Sequence, residues 1–201
     1  FSASVEQDNG WNVTMSQTID GGVLDEMNIK IDTVDFGTVT FSGHGTLGAI
    51  GSWDDLTPTA NEEAHGVDVG GTQDGATNHV TENDSFHWDY NLATVDGVAL
   101  KASYFPSDNT SHADSSLEYG VRYTGIEGLD IALGMGENND TTAKRDNTVA
   151  AVVYTFDAFS IGAQANESDS ATAGTDEDFR AWGVSYAVSD DLSVSYGISE
   201  I

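Results

Sequence analysis

Carboxylates dominate the reactive side chains of this chain: 34 Asp and Glu stand against 6 Lys and Arg, a formal net charge of −28 over 201 residues. Eight of the acids, Asp54, Asp55, Glu62, Glu63, Asp68, Asp74, Glu82 and Asp84, fall within residues 44–84, where there is no Lys or Arg. The stretches "SDNTSHADSS", "ENNDTTAKRDN" and "NESDSATAGTDED" carry the hard oxygen ligands that Ca²⁺ or Mg²⁺ takes, but none has the ligand spacing of a dedicated calcium loop. Solvated, salt-tolerant loops are the better reading, with loosely bound Ca²⁺ or Mg²⁺ and no other cofactor as the alternative. The five histidines, His44, His65, His79, His87 and His112, lack metal-site spacing. No nucleophile–base pair, phosphate-cradling glycine loop or paired catalytic carboxylates are legible, so an enzyme is not expected. What remains is electrostatics: where the few cations stand relative to the many acids.

Three cations have a definite place. Lys30, Lys101 and Arg122 sit in the middle of segments that alternate polar and apolar residues. In "SFHWDYNLATVDGVALKASYF", residues 85–105, Phe86, Trp88, Tyr90 and Leu92 fall on one parity, and His87, Asp89 and Asn91 fall between them. After Thr94-Val-Asp-Gly, the residues Val98, Leu100, Ala102 and Tyr104 continue the apolar surface while Lys101 and Ser103 continue the polar one. Successive side chains of a strand point to opposite faces, so this is a hairpin with two chemically opposite sides. His87 shares its face with Asp89 and could tune local charge, though a hydrated structural histidine is the simpler reading.

The same alternation recurs at residues 1–7, 11–18, 25–32, 37–43, 85–93, 98–105, 116–124, 129–136, 147–155, 159–166, 179–188 and 191–199, which predicts about twelve strands and no helix. Tight acidic turns (Asp8-Asn-Gly, Thr33-Val-Asp-Phe, Thr94-Val-Asp-Gly, Gly125-Ile-Glu-Gly, Phe156-Asp-Ala, Ser189-Asp-Asp) alternate with longer polar loops at 19–24, 44–84, 106–115, 137–146 and 167–178. Leu92, Tyr123, Tyr154 and Tyr186 each close a strand at spacings of 31 to 32 residues, so one period is one hairpin plus one loop. An up-and-down meander puts every second connection at the same end, which Greek-key sandwiches do not.

Composition narrows the class further. There is no basic surface to neutralise phosphates, so nucleic acid is not an expected partner. The 19 aromatic residues and the period-2 order argue against disorder. No run approaches the roughly 18 to 20 apolar residues of a spanning helix, and Cys is absent. Two architectures fit: a transmembrane barrel with its apolar face in lipid and a wet lumen, or a soluble or surface-exposed, adhesin-like β-sheet protein with that face in a dry core. Aromatics gathered near the tight turns (Phe36, Phe41, Tyr104, Tyr123, Tyr154, Phe156, Phe159, Tyr186) suit a membrane-interface girdle and favour the barrel. The expectation is an all-β, antiparallel, up-and-down transmembrane β-barrel. In it Trp88, Tyr90, Leu100, Tyr104, Tyr119, Tyr123, Leu133, Trp182, Tyr186 and Val194 would face lipid. Lys30, Lys101 and Arg122, with Glu118, His87, Asp89 and Asp130, would face the lumen.

The phrases "DTVDFGTVTFSGHG" (32–45), "NLATVDGVALKASYFPSD" (91–108), "LEYGVRYTGIEGLDIALGMGE" (117–137) and "AWGVSYAVSDDLSVSYGISE" (181–200) resemble, in order and spacing, the general porins of Gram-negative bacteria, the alphaproteobacterial type in particular. The resemblance covers essentially the whole chain. It implies an outer-membrane diffusion channel for ions and small hydrophilic solutes, a homotrimer in contact with lipid and lipopolysaccharide. The barrel would have about sixteen strands, of which about twelve are present in one domain, 1–201, truncated at both ends, with a complete twelve-stranded barrel as the alternative. It also implies that the long loop 44–84 folds into the pore. Asp54, Asp55, Glu62, Glu63, Asp68 and Asp74 would then be constriction acids facing a basic wall of Lys30, Lys101 and Arg122, a transverse field that passes small polar solutes. An acidic loop lying outside the barrel is the alternative. With three wall cations against so many acids, cation preference is expected.

Overall fold

The computed structural model describes residues 1–44, 47–58, 85–92, 95–107, 114–139, 141 and 144–200. These form twelve strands: β1 (Ser2–Glu6), β2 (Asn12–Asp20), β3 (Val23–Asp32), β4 (Thr38–His44), β5 (Ser85–Asn91), β6 (Val98–Phe105), β7 (Ser116–Tyr123), β8 (Leu129–Asn139), β9 (Lys144–Phe156), β10 (Phe159–Ser170), β11 (Glu177–Ser189) and β12 (Leu192–Glu200). Every strand pairs antiparallel with its sequence neighbours, in one sheet of order β1 to β12. Among the described residues β1 and β12 do not pair with each other, so the sheet has two free edges. This is the all-β up-and-down meander that the alternation predicts.

The two faces carry an inverted burial pattern. Along β10, Gly162, Gln164, Asn166 and Ser168 are buried while Ile161, Ala163 and Ala165 are exposed. In β9, Asn147, Val149 and Ala151 are buried, whereas Val152 and Tyr154 on the opposite face are bare. Leu133, Tyr119, Trp182, Tyr196 and Val194 are all 45 % exposed or more. A water-soluble sheet buries its apolar parity; here no second sheet covers it among the described residues. That arrangement is stable only where the solvent on that side is itself apolar.

Short connections lock the hairpins. Gly21 and Gly22, with φ of +57° and +84°, join β2 to β3 as a two-residue turn whose backbone only glycine adopts cheaply. The sequence reading placed a loop over 19–24; the glycine pair instead lets both strands run to the turn. At the other end three of the tight turns are stitched to the next hairpin: Thr124 N–H donates to Gly97 O (2.8 Å), Thr155 N–H to Gly128 O (2.8 Å) and Ala187 N–H to Ala158 O (2.9 Å). Strands β8 to β11 also run longer than the alternation suggested, so Glu137, Asp146, Glu167 and Asp169 stand on strands rather than in loops. Their ladder hydrogen bonds continue past the point where the apolar pattern ends.

The compact apolar cluster lies on the polar face. Ala49, Ile50 and Trp53 pack with Ala132 of β8 and Val149 of β9, and Leu56 flanks them. The segment 47–58, which follows β4, is therefore laid against the inner wall.

Candidate functional site: the polar face and the segment seated on it

Register turns the polar parity into rows that cross the sheet. One row runs Thr14, Lys30, Thr40, His87, Ser103, Glu118, Gly136, Asn147, Ser168. A second runs Asp32, Thr38, Asp89, Lys101, Gly120, Gly134, Val149, Asn166, Phe179. A third runs Asn91, Ala99, Arg122, Ala132, Ala151, Gln164, Ala181. All three sequence-predicted cations and His87, Asp89, Glu118 and Asp130 thus share one face. Lys30 is separated from Lys101 by β4 and β5.

The cations do not form an open positive stripe. Lys101 Nζ lies 3.4 Å from Asp89 Oδ1, its direct cross-strand partner. Arg122 grips Asp130 with both arms of its guanidinium, the Nε–Oδ1 bond being 2.8 Å and the Nη2–Oδ2 contact shorter still. Fork-on-fork pairing is the strong arrangement for these groups. Among the described residues, then, two of the three wall cations, Lys101 and Arg122, have carboxylate partners in the wall itself. Farther along, Arg145 on β9 lies 3.6 Å from Glu177 and donates weakly to Ser168 Oγ at 3.4 Å. The alternation ended short of Arg145, so the sequence reading missed it.

His87 is 1 % exposed, and both ring nitrogens are engaged: Nε2 with Ser85 Oγ at 2.7 Å and Nδ1 with Ser103 Oγ at 2.9 Å. Its ring meets Phe105 edge-on at 5.8 Å. The strand-to-strand register creates this serine–histidine–serine set, which residue spacing alone did not reveal. Burial behind Phe105 makes it a satisfied interior polar group rather than an accessible base.

Segment 47–58 crosses the wall from β6 to β11. Ile50 N–H donates to the Glu118 carboxylate (3.0 Å), and Glu118 is itself 1 % exposed. Leu56 N–H donates to Gln164 Oε1 (2.7 Å), while Gln164 Nε2 and Asn166 Nδ2 (2.8 Å) both donate to the main-chain oxygen of Asp54. Between these holds, Trp53 lies over Gly120 and Gly134, where an added Cβ on Gly120 would overlap the indole; Pro58 lies over Gly162 and Gly183. The seat is a run of small residues at inward parity, Gly120, Ala132, Gly134, Gly136, Ala151, Gly162, Ala181 and Gly183. That run is the sequence signal that marks where a segment would lie; apolar alternation hides it, since glycine and alanine read as neutral. Of the candidate constriction acids, Asp54 is buried and Asp55 half-buried in this segment. Glu62, Glu63, Asp68 and Asp74 lie outside the described residues.

On the opposite face stand Tyr104, Tyr119, Leu133, Trp182, Tyr186 and Val194, exposed, and Trp88, Tyr90, Leu100 and Tyr123, half-buried among neighbours. Phe156, Phe159 and Tyr186 form a ring-on-ring series beside the tight turns, with centroids 5.5 and 4.4 Å apart. Trp88 stacks on Tyr90 at 5.5 Å and donates its indole N–H to Phe36 O (2.7 Å). Amphipathic rings at the edge of an apolar band are the arrangement a membrane interface favours.

A meander sheet with a bare apolar outer face and a polar inner face carrying a seated segment defines the wall of an outer-membrane β-barrel. The Gram-negative porin family model matches residues 1–200, and the chain belongs to that family. Its place is accordingly the outer membrane. Among solved structures, the outer-membrane expressed OmpT of Vibrio cholerae superposes with a TM-score of 0.74 at 18 % identity, covering 98 % of this chain and 64 % of that one. The anion-selective porin from Comamonas acidovorans gives 0.69 at 13 % identity, with 98 % and 66 % covered. At these identities the likeness is one of fold. The chain therefore spans about two thirds of the length of these structures. None of the curated proteins matches it.

Proposed function

We propose that this chain forms the wall of a water-filled outer-membrane channel through which ions and small hydrophilic solutes diffuse passively, with a preference for cations. The observation that carries the reading is the segment 47–58 on the polar face: the polar side is lined and narrowed by the chain itself while the apolar side is left bare. In this reading the inward-facing side chains of Lys30, Lys101, Arg122, His87, Asp89, Glu118 and Asp130 line the lumen. Loop 44–84 supplies the constriction, with Asp54 and Asp55 at its start. Cation preference follows from the net charge of −28 together with the pairing of Lys101 and Arg122 to wall carboxylates, which leaves acids to set the sign of the lumen potential. Homotrimeric assembly and contact with lipid and lipopolysaccharide belong to the same reading, supported by the exposed apolar belt.

The test is single-channel recording of the full-length chain in planar bilayers under a salt gradient. Steady ohmic conductance with a reversal potential on the cation side is the expected result. Absence of any conductance overturns the channel reading, and a reversal potential on the chloride side overturns the cation preference alone.

A further inference from the structure

We infer that Glu118 is a positioning residue: its buried carboxylate, with the Gln164–Asn166 amide pair as a second hold, latches the main chain of segment 47–58 to the wall and so fixes the cross-section of the channel. The inference rests on the channel reading above and adds to it the residues that set the seat.

A carboxylate that is 1 % exposed is costly unless its oxygens are satisfied. Glu118 Oε2 receives the N–H of Ile50, 68 residues away in sequence and on no neighbouring strand. Two glycines make the geometry possible. Gly136, the cross-strand partner of Glu118, leaves room for its side chain to lie along the wall, since a Cβ there would meet Glu118 Cγ. Gly48 brings the main chain of the segment against the carboxylate and the Phe105 ring, and a Cβ at Gly48 would overlap Oε2 itself. At the other hold, three strands away, Gln164 and Asn166 grip Asp54 O, and Gln164 Oε1 takes the N–H of Leu56. Each of these bonds ends on a peptide group of the segment. These polar holds therefore read the segment's main chain, while Ile50 and Trp53 add side-chain packing between them.

The experiment compares wild type with Glu118→Ala, Glu118→Gln and Gly48→Ala in two readouts: hydrogen exchange at the Ile50 amide in detergent, and conductance level with open-channel noise in planar bilayers. Glu118→Ala and Gly48→Ala are expected to speed exchange at Ile50, raise current noise and replace one conductance level by several. Glu118→Gln keeps a side-chain oxygen as acceptor and is expected to stay near wild type. Unchanged exchange and noise in Glu118→Ala overturn the inference, as does equal loss in Glu118→Gln. If Glu118→Ala does not fold, Gly48→Ala carries the same test with the carboxylate in place. A wild-type chain that does not conduct sinks the channel reading, while Ile50 exchange still decides the latch.

Discussion

Trp53→Ala separates the seated segment from the sheet beneath it. Trp53 is 6 % exposed and covers the glycines of β7 and β8. A tryptophan buries roughly 150–250 Å², which at about 25 cal/mol per Å² sets a ceiling of about 4–6 kcal/mol, and measured Trp→Ala costs run at about 3–5 kcal/mol. The cavity borders a polar wall with Gln164 and Asn166 close by, so water refills it and the loss falls toward the lower figure. None of it is borne by the strand ladder, because the β7–β8 and β8–β9 pairings are main-chain bonds beneath the indole. A loss of about 3 kcal/mol corresponds to an opening equilibrium about 100-fold more populated. In hydrogen exchange the amides of Asp54, bonded to Ile50 O, and Leu56, bonded to Gln164, should therefore lose about two decades of protection. Amides of β8 and β9 should keep theirs. Parallel loss in β8 and β9 would make Trp53 part of the sheet's own stability, and unchanged protection at Leu56 would mean that the indole does not hold the segment; either refutes the reasoning.

Four further outcomes follow from the same geometry. Asp89→Asn removes the partner of Lys101 and leaves its charge on the polar face, so the reversal potential should move toward chloride; a shift in the opposite direction contradicts the pairing. Glu137 faces Asp146, Asp146 faces Asp169 and Glu167 faces Asp178 as direct cross-strand neighbours, so raising salt from about 0.1 to 1 M, which shortens the screening length from about 10 to 3 Å, should raise Tm, and a fall would show that these repulsions are already neutralised. Single cysteines at Leu133, Val194 and Trp182 should report hydrocarbon to an environment-sensitive label in lipid, with Lys101 and Gln164 reporting water or protein; water at the first set would remove the membrane face. Thermal melts with and without chelator should coincide if the acidic loops are merely solvated, and a drop in Tm on chelation would instead support bound Ca²⁺ or Mg²⁺.

The parity of polar and apolar residues decided the strands, their order and which side chains share a face, because strand period is fixed at two and a one-residue slip would invert every position. Lys30, Lys101, Arg122 and Glu118 could therefore be assigned to one face from spacing alone. Which face is covered was not local information: a hairpin such as 85–105 is equally amphipathic in a sandwich or a barrel, and only the single uncovered sheet settles it. Partner choice was also tertiary. Lys101 meets Asp89 directly across β5 and β6, and Arg122, opposite Ala132, reaches Asp130 on the diagonal, pairings that only the register reveals. The seat of segment 47–58 was written in the chain as small residues at inward parity, yet it became visible only when the long connection after β4 folded back over them. Close packing between segments far apart in sequence depends on which surfaces meet, and no local pattern carries that.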